Sequence, residues 1–184
     1  MGRPRDEAAT PTLLAATRAL VLERGYEAVT VADIAAAAGT GRQTLYRRWQ
    51  GKADLVLDAF TAHARAEVDA GEGAAGASVR DFLHRTFRAL DATGPALRGL
   101  MAHAQRDPAF RRRLLTRFVE PRRAVLRGVL ARAREEGELA AGTDLDTAVA
   151  ALYGALWYRL LLDEPLDAAY ATALARLLGA RPVG

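Results

Sequence analysis

Apolar residues recur every three or four positions along almost the whole chain, and no segment alternates between apolar and polar residues as a strand does. This pattern predicts an all-α fold of about nine helices. The first predicted helix covers residues 7–24 and ends at Gly25, a residue that favours the left-handed backbone after a helix. A short helix from residue 30 to about residue 37 follows, and a third helix begins just after a turn at Gly39.

Polar residues mark the beginnings of these helices. Thr30 and Asp33 have the spacing of a capping box, in which a hydroxyl and a carboxylate bond the unpaired amides at a helix N-terminus. Thr40 or Gly41 opens the third helix, and Gln43 is placed to reach back to Thr40. The sequence therefore predicts two short, capped helices joined by a glycine turn.

The rest of the chain also has helical periodicity. Further helices are predicted at residues 52–70, from residues 78, 94 and 107 onward, at 144–162 and at 166–178. Gly94-Pro95 is expected to begin a short helix, and Pro121 is expected to kink or break a long one because proline removes a backbone donor. The glycine-rich segment 71–77 predicts a flexible connection between two working parts of the protein.

The composition narrows the class of protein. The chain has 184 residues, of which 51% are hydrophobic, so it can bury a core. It contains no cysteine, which excludes a disulfide framework and thiolate metal sites and fits a reducing compartment. The first residues lack the apolar run of a signal peptide, and the longest apolar stretch, residues 148–162, is too short to span a bilayer. We therefore expect a cytoplasmic protein with no membrane partner.

Basic residues are concentrated in and just after the third predicted helix. The net charge of +4 favours an anionic partner only weakly. From Gly41 to Lys52, however, there are four basic residues and no acidic one. Leu45 and Trp49 fall together on one side of the helix, where they can pack in a core. The polar positions form the opposite face and its two flanks: Arg42, Gln43, Thr44, Tyr46, Arg47 and Arg48.

Such a helix has what recognition in the DNA major groove requires. Its central face can meet base edges, and its flanks can meet the phosphates on either side. Arginine can bond guanine through two hydrogen bonds, and glutamine can bond adenine in the same way. One alternative is an amphipathic surface helix whose charges are only solvated. A second functional hypothesis is a helical adaptor that grips an acidic protein with the same face. The capped helices, the glycine turn and the acid-free basic face together favour DNA.

The segment from Thr10 to Phe60 resembles the TetR family of transcriptional regulators. The resemblance rests on Gly25-Tyr26, Thr30-Val-Ala-Asp-Ile-Ala, Ala38-Gly39, Thr44-Leu45-Tyr46 and Lys52-x-Asp-Leu55. It implies a dimer with two DNA-reading heads and a C-terminal helical domain that responds to a ligand, typically in a repressor of its own or a neighbouring gene. Two positions depart from the family's pattern: Gly41 stands where a serine is common, and Trp49 stands where phenylalanine is usual.

The predicted partner is a double-stranded, palindromic DNA operator. Carried over by position, the resemblance implies base contacts from Arg42, Gln43 and Tyr46. It implies phosphate contacts from Thr44, Arg48 and Lys52, with a further one from Thr30. The full predicted DNA-binding set is Thr30, Thr40, Arg42, Gln43, Thr44, Tyr46, Arg47, Arg48 and Lys52.

The predicted domains are a helix-turn-helix DNA-binding domain at residues 1–52, including a basic arm at 1–9 with Arg3 and Arg5, and a C-terminal helical regulatory and dimerisation domain at 53–184. A helix as apolar all round as residues 148–162 has to be covered on every side. A second copy of the chain is the natural cover, which predicts a two-fold homodimer; the alternative is the central helix of a monomeric bundle. The predicted interface is Val149, Leu152, Leu156, Leu160, Ala171, Leu174 and Leu178.

The same resemblance implies a small-molecule pocket in the C-terminal domain, for an effector that the sequence does not identify. The predicted lining is Phe82, Phe87, Met101, His103, Phe118, Tyr153 and Trp157. For any one of these residues, plain core packing is the competing interpretation.

Other chemistry finds no support in the sequence. Residues 71–76 match the letters of a dinucleotide-binding loop, but that loop requires a preceding strand, and a helix is predicted there instead. His63, His84 and His103 lack the spacing of metal ligands. No nucleophile or acid–base pair can be assigned. We therefore expect no enzyme, no cofactor and no metal.

Overall fold

The computed structural model describes residues 4–67 and 78–179, where helices form all the regular structure apart from one isolated bridge. The elements are α1 (Pro4–Arg24), α2 (Val31–Ala37), α3 (Arg42–Arg48), α4 (Lys52–Glu67), α5 (Val79–Arg106), α6 (Pro108–Leu114), a π turn (Leu115–Val119), α7 (Glu120–Glu135), α8 (Leu145–Leu161) and α9 (Ala168–Leu178). The predicted all-α fold is confirmed. No helix in the described ranges is long and apolar enough to cross a membrane. The predicted connection at 71–77, Arg3 and the Arg5 side chain lie outside the described parts.

The chain divides into two compact units. The first contains residues 4–67 and, later in the sequence, Pro95–Phe118. The second contains residues 78–94 and the chain from Val119 to residue 179. The first unit thus includes α4, which the predicted division at residues 52 and 53 gives to the C-terminal domain, together with the second half of α5, α6 and nearly all of the π turn.

The first unit is organised around α1 and α4, which pack along each other, while α2 contacts α1 and α3 contacts α2. Its fully buried side chains include Val21, Ile34 and Leu55, each no more than 1% exposed. Two glycines close its first turns. Gly25 and Gly39 have φ angles of +84° and +61°, a region that side chains other than glycine rarely adopt. The predicted ends of α1 and α2 are therefore confirmed.

The second unit has a core to which α5, α7, α8 and α9 all contribute. Phe87 of α5, Leu130 of α7 and Leu152 of α8 are almost fully buried in it. The Phe87 ring stacks on Tyr170 of α9, with centroids 5.9 Å apart. Apolar burial of this kind, more than intrinsic helix propensity, stabilises helices in a folded protein.

Two prolines lie inside long helical stretches. The predicted helix start at Gly94-Pro95 is wrong, because α5 runs unbroken from Val79 to Arg106. Pro95 removes one amide donor, but Ala96, Leu97 and Leu100 beyond it are buried, and their packing supports the helix across the defect. Near Pro121 the chain also stays helical, but the hydrogen-bond pattern changes: the five residues Leu115–Val119 form a π turn between α6 and α7.

Candidate nucleic-acid interface

The helix before α3, α2, begins at a capping box that the local sequence encodes. Thr30 is the N-cap of α2: its hydroxyl accepts a hydrogen bond from the Asp33 amide at 3.2 Å, and the Asp33 carboxylate accepts one from the Thr30 amide at 2.8 Å. Hydrogen bonds from the Thr30 side chain and backbone hold the pKa of Asp33 below its ordinary value. The carboxylate therefore stays ionised at neutral pH, and the predicted capping box is confirmed.

The start of α3 is at one of the two predicted positions, but the predicted side-chain bond is absent. The N-cap residue is Gly41, which offers no side chain to the helix. The predicted bond from Gln43 back to Thr40 is not formed, because the Thr40 amide belongs to the end of α2, where it donates to the Ala35 carbonyl at 2.9 Å. No side chain therefore caps the N-terminus of α3. Its first turn is closed by a backbone hydrogen bond, in which the Thr44 amide donates to the Gly41 carbonyl at 3.0 Å.

The two faces of α3 are as different as the sequence predicts. Leu45 is 2% exposed and Trp49, which follows the helix, is 7% exposed, so the apolar edge lies in the core. Tyr46 is 59% exposed although it is a large aromatic residue. Thr44 is half-buried at the edge between the two faces. The remaining side chains of the outward face are exposed: Arg42, Gln43, Arg47 and Arg48.

Lys52 secures the N-terminus of α4 to the turn after α1. Its ammonium donates to the Tyr26 carbonyl at 2.8 Å and to the Glu27 carbonyl at 3.4 Å, and it lies 4.3 Å from the centre of the Tyr26 ring. Such a cation–π contact adds to the two hydrogen bonds. Burial raises the pKa of Tyr26 to about 12, so the phenol stays neutral. Lys52 is therefore a structural residue here, and its phosphate contact stays a prediction.

Two further residues of the predicted DNA set are bonded within the protein. The Thr30 hydroxyl donates its one hydrogen to the Asp33 carboxylate at 2.6 Å, so a phosphate contact from that hydroxyl requires the cap to open. Nη1 of Arg48 donates to the hydroxyl of Thr10 on α1, which ties the end of α3 to the first helix. Thr40 is half-buried in the turn.

Two carboxylates on α4 bind arginines from the later part of the first unit, and one of them also binds the residue that ends α3. The Asp58 carboxylate accepts from the Trp49 indole at 2.9 Å and from Nη1 of Arg117 at 3.0 Å. One turn earlier, the Asp54 carboxylate accepts from Nε and Nη2 of Arg113 at 2.6 Å and 3.1 Å. Sequence reasoning missed these pairs because each joins residues 59 positions apart, and no spacing rule connects such residues.

The residues predicted for the dimer interface lie on the inner side of the second unit. Val149, Leu152, Leu156 and Leu160 of α8 are 3–5% exposed, and Ala171 and Leu174 of α9 are 0% and 6% exposed. Leu178 is partly buried against the same core. These side chains are largely covered by their own chain, and their part in a contact between copies stays a prediction.

The predicted pocket residues are divided between the two units. Phe87 is buried in the core of the second unit, and Phe82, Tyr153 and Trp157 are partly buried against it. The Tyr153 hydroxyl donates to the Arg122 carbonyl at 3.1 Å, and burial raises its pKa to about 12. The other three residues, Met101, His103 and Phe118, belong to the first unit.

The histidines do not share an environment that would hold a metal. Among the described residues, no three metal-ligating side chains come together. His103 lies 3.8 Å from the Asp107 carboxylate and edge-on to the Phe110 ring. His84 lies within 3.3 Å of the Thr172 hydroxyl.

Two short helices joined by a glycine turn, with the second presenting a basic and aromatic face to solvent, define a helix-turn-helix DNA-binding domain. Comparison with known proteins agrees. Residues 13–59 match the family described as bacterial regulatory proteins of the tetR family, and residues 70–178 match the tetracyclin repressor-like C-terminal domain. The chain belongs to the TetR family of transcriptional regulators.

Individual relatives are similar over nearly their whole length. The uncharacterized HTH-type transcriptional regulator YdeS of Bacillus subtilis is 35% identical over 172 residues, which cover 90% of this chain and 86% of the relative. The DNA-binding transcriptional repressor TetR of Mycobacteroides abscessus is 31% identical, with 90% and 89% covered. The crystal structure of the TetR family transcription regulator SCO0332 superposes with a TM-score of 0.73 at 31% identity, covering 95% of this chain and 99% of that one.

Proposed function

We propose that the protein is a ligand-responsive transcriptional repressor that binds a palindromic operator as a homodimer, with α3 in the major groove. The observation that carries the proposal is the division of α3 into a buried edge, Leu45 and Trp49, and an exposed basic face beside Tyr46. A helix with these two faces is anchored from behind and presents donors to base edges in front.

The outward side chains have distinct roles in this proposal. Arg42, Gln43 and Tyr46 are exposed and face base edges, while Thr44 and Arg48 lie at the flanks and face phosphates. In this proposal Lys52 keeps its hydrogen bond to the Tyr26 carbonyl and contacts a phosphate with another ammonium hydrogen. Only the base contacts carry sequence preference, because phosphates are the same at every step of the duplex.

Selection of duplexes from a random pool by the full-length protein tests the DNA part. We expect an inverted repeat among the selected fragments. Arg42→Ala should lower the preference for that site by about 1–3 kcal/mol per lost base contact. Lys52→Ala should weaken binding to every duplex and reduce its salt dependence by about one counterion.

Arg111→Ala is the matched control, because Arg111 is an exposed arginine on α6 and its loss changes the net charge by the same amount. It should leave the selected sequence unchanged. If Arg42→Ala and Arg111→Ala changed the preference for the selected site equally, α3 would contribute only charge. If Arg42→Ala and Lys52→Ala both left DNA retention in a gel shift unchanged, the alternative of a helical adaptor for an acidic protein would be favoured instead.

The dimer contact in this proposal uses the outer faces of α8 and α9. Tyr158 and Leu161 of α8 are 63% and 58% exposed, and Leu177 of α9 is 80% exposed. Among the described residues, no atom beyond the adjoining residues and backbone of α8 lies within 4 Å of the Cβ position of Gly154, one helical turn before Tyr158, so another helix can approach closely there. Large apolar side chains on one face are typical of a surface that a second copy covers.

Sedimentation at several protein concentrations tests this contact. We expect a dimer for the parent protein, and a monomer for the Leu161→Arg variant, in which a charge replaces an exposed leucine. Leu115→Arg is the control, because Leu115 is 39% exposed but belongs to the first unit. A monomeric parent, or a Leu161→Arg protein that remains dimeric, would show that this face is not the interface.

Ligand response and repression complete the proposal. A second compact unit with its own core supports a regulatory role. The match of residues 70–178, which include this unit, to the tetracyclin repressor-like C-terminal domain also supports it. Binding of an effector there should lower operator affinity by about 5- to 150-fold, the usual range of allosteric coupling. Transcription in vitro from a promoter that overlaps the selected site should fall when the protein is added; a rise would make it an activator. Because its target is the bacterial chromosome, we place its action in the cytoplasm.

A further inference from the structure

The Asp58 carboxylate has two partners from different parts of the first unit. Its Oδ2 accepts from Nε1 of Trp49 at 2.9 Å, and Trp49 is the residue that ends α3, the proposed recognition helix. Its Oδ1 accepts from Nη1 of Arg117, which lies in the π turn, at 3.0 Å. One side chain of α4 therefore connects the C-terminal end of α3 to the π turn.

The neighbouring ion pair, which joins α4 to α6 instead of to the π turn, is of a different kind. Arg113 and Asp54 form two hydrogen bonds, and their side chains are only 24% and 10% exposed. Arg117 and Asp58 form one hydrogen bond, and their side chains are 51% and 30% exposed. Water screens a pair as exposed as the second, so its contribution to folding is small. The pair also orients the Asp58 carboxylate, because Arg117 binds one of its oxygens while the other accepts from the Trp49 indole.

Arg117 lies close to the point where the chain passes from the first unit to the second. Residues Pro95–Phe118 belong to the first unit, and the chain enters the second unit at Val119, two residues after Arg117. A π turn is an irregular helical geometry that occurs frequently at functional sites. A change from π to α hydrogen bonding alters the direction of a side chain in the turn relative to residues of the preceding helix.

We propose that Arg117 is a positioning residue for DNA recognition: through Asp58 it fixes Trp49, and with Trp49 the C-terminal end of the recognition helix. The inference rests on the proposed function of α3. It requires no contact between Arg117 and DNA, since the effect passes through the carboxylate. Arg117 thus stands between the point where the chain leaves the first unit and the helix that reads the operator.

A double-mutant cycle in the full-length protein tests the proposal. The variants are Arg117→Gln, Asp58→Asn and the combination, and the probe is a duplex selected from a random pool by the parent protein. Each single substitution should weaken binding by about 2- to 30-fold, the range of coupling through packed networks. The double variant should bind about as well as the weaker single variant, because both changes break the same connection. Arg117→Lys, which retains the charge, should restore part of the affinity.

Three further measurements separate positioning from other roles. The salt dependence of binding should be the same for Arg117→Gln and the parent, whereas a direct phosphate contact would reduce its slope by about one. In a Trp157→Phe background, which leaves Trp49 as the one tryptophan, Arg117→Gln should shift the emission spectrum. The melting temperature should fall by no more than about 4 °C, because the pair is largely exposed. Arg111→Gln, the same change at an exposed position of α6, should alter none of these quantities.

The outcomes are distinguishable. Additive losses in the double variant, a reduced salt slope, or unchanged affinity in Arg117→Gln would overturn the proposal. A parent protein that selects no duplex would overturn the proposed function instead. The emission of Trp49 would then still decide whether Arg117 controls the end of α3: an unchanged spectrum refutes that connection, and a shifted one upholds it.

Discussion

The ion pair between Arg113 and Asp54 should be the strongest single polar contribution to the stability of the first unit. Arg113→Ala leaves the Asp54 carboxylate, which is 10% exposed in its side chain, without the two hydrogen bonds it accepts at 2.6 Å and 3.1 Å. Removing one partner of a fully buried pair costs about 3–5 kcal/mol. Because Arg113 is 24% exposed and water can partly replace it, we expect about 2–3 kcal/mol.

Thermal unfolding measured through Trp49 emission in a Trp157→Phe background reports on this unit, to which Trp49 belongs. A loss of 2–3 kcal/mol corresponds to a fall of about 4–12 °C in melting temperature for a chain of this length. Arg112→Ala is the matched control at an adjacent, exposed arginine, and it should change stability by less than about 0.5 kcal/mol. Indistinguishable melting curves for the Arg112 and Arg113 variants would refute this reasoning.

Two other predictions concern stability. Gly99→Ala should destabilise the protein by about 1–3 kcal/mol, because its Cβ would clash with the buried Tyr26 ring. Gly128→Ala should stabilise α7 by about 0.5–1 kcal/mol, because no described atom beyond the adjoining residues and backbone of α7 lies within 4 Å of the added Cβ. Urea unfolding of both variants checks the opposite signs. Asp107 caps α6, and hydrogen bonds from the Phe110 and Ala109 amides hold its pKa below the ordinary value, so its contribution is present above about pH 4 and disappears as acid protonates it. The melting temperature of Asp107→Asn should therefore fall by less than that of the parent between pH 7 and pH 3. An equal fall would contradict the role of the Asp107 carboxylate as the cap of α6.

Local signals predicted much of the first unit. The capping box at Thr30, the glycines at the ends of α1 and α2, and the buried edge of α3 each depend on residues within a few positions of one another. The Asp107 and Asp144 caps follow from the same short-range rules. Local sequence patterns were sufficient for these elements because the residues that form each one lie within one or two helical turns of one another.

Other features depend on packing that periodicity does not encode. A helix as apolar all round as α8 does not reveal which side its own chain covers, and the predicted interface residues proved to be the inner ones. The continuity of α5 across Pro95 reflects burial of the residues beyond it. The ion pairs of Asp54 and Asp58 depend on a partner segment 59 residues away, among 26 basic residues from which the sequence offers no means of choosing.

The discontinuity of the first unit has a practical consequence for protein engineering. The simplest graft of this reading head onto the sensor of another regulator would use a single cut after α4. Here such a cut would discard Pro95–Phe118, and with it the arginine partners of Asp54 and Asp58. A hybrid made from this chain needs two crossover points in addition to the first, one near Gly94 and one near Val119, so that the transplanted head keeps all of its segments.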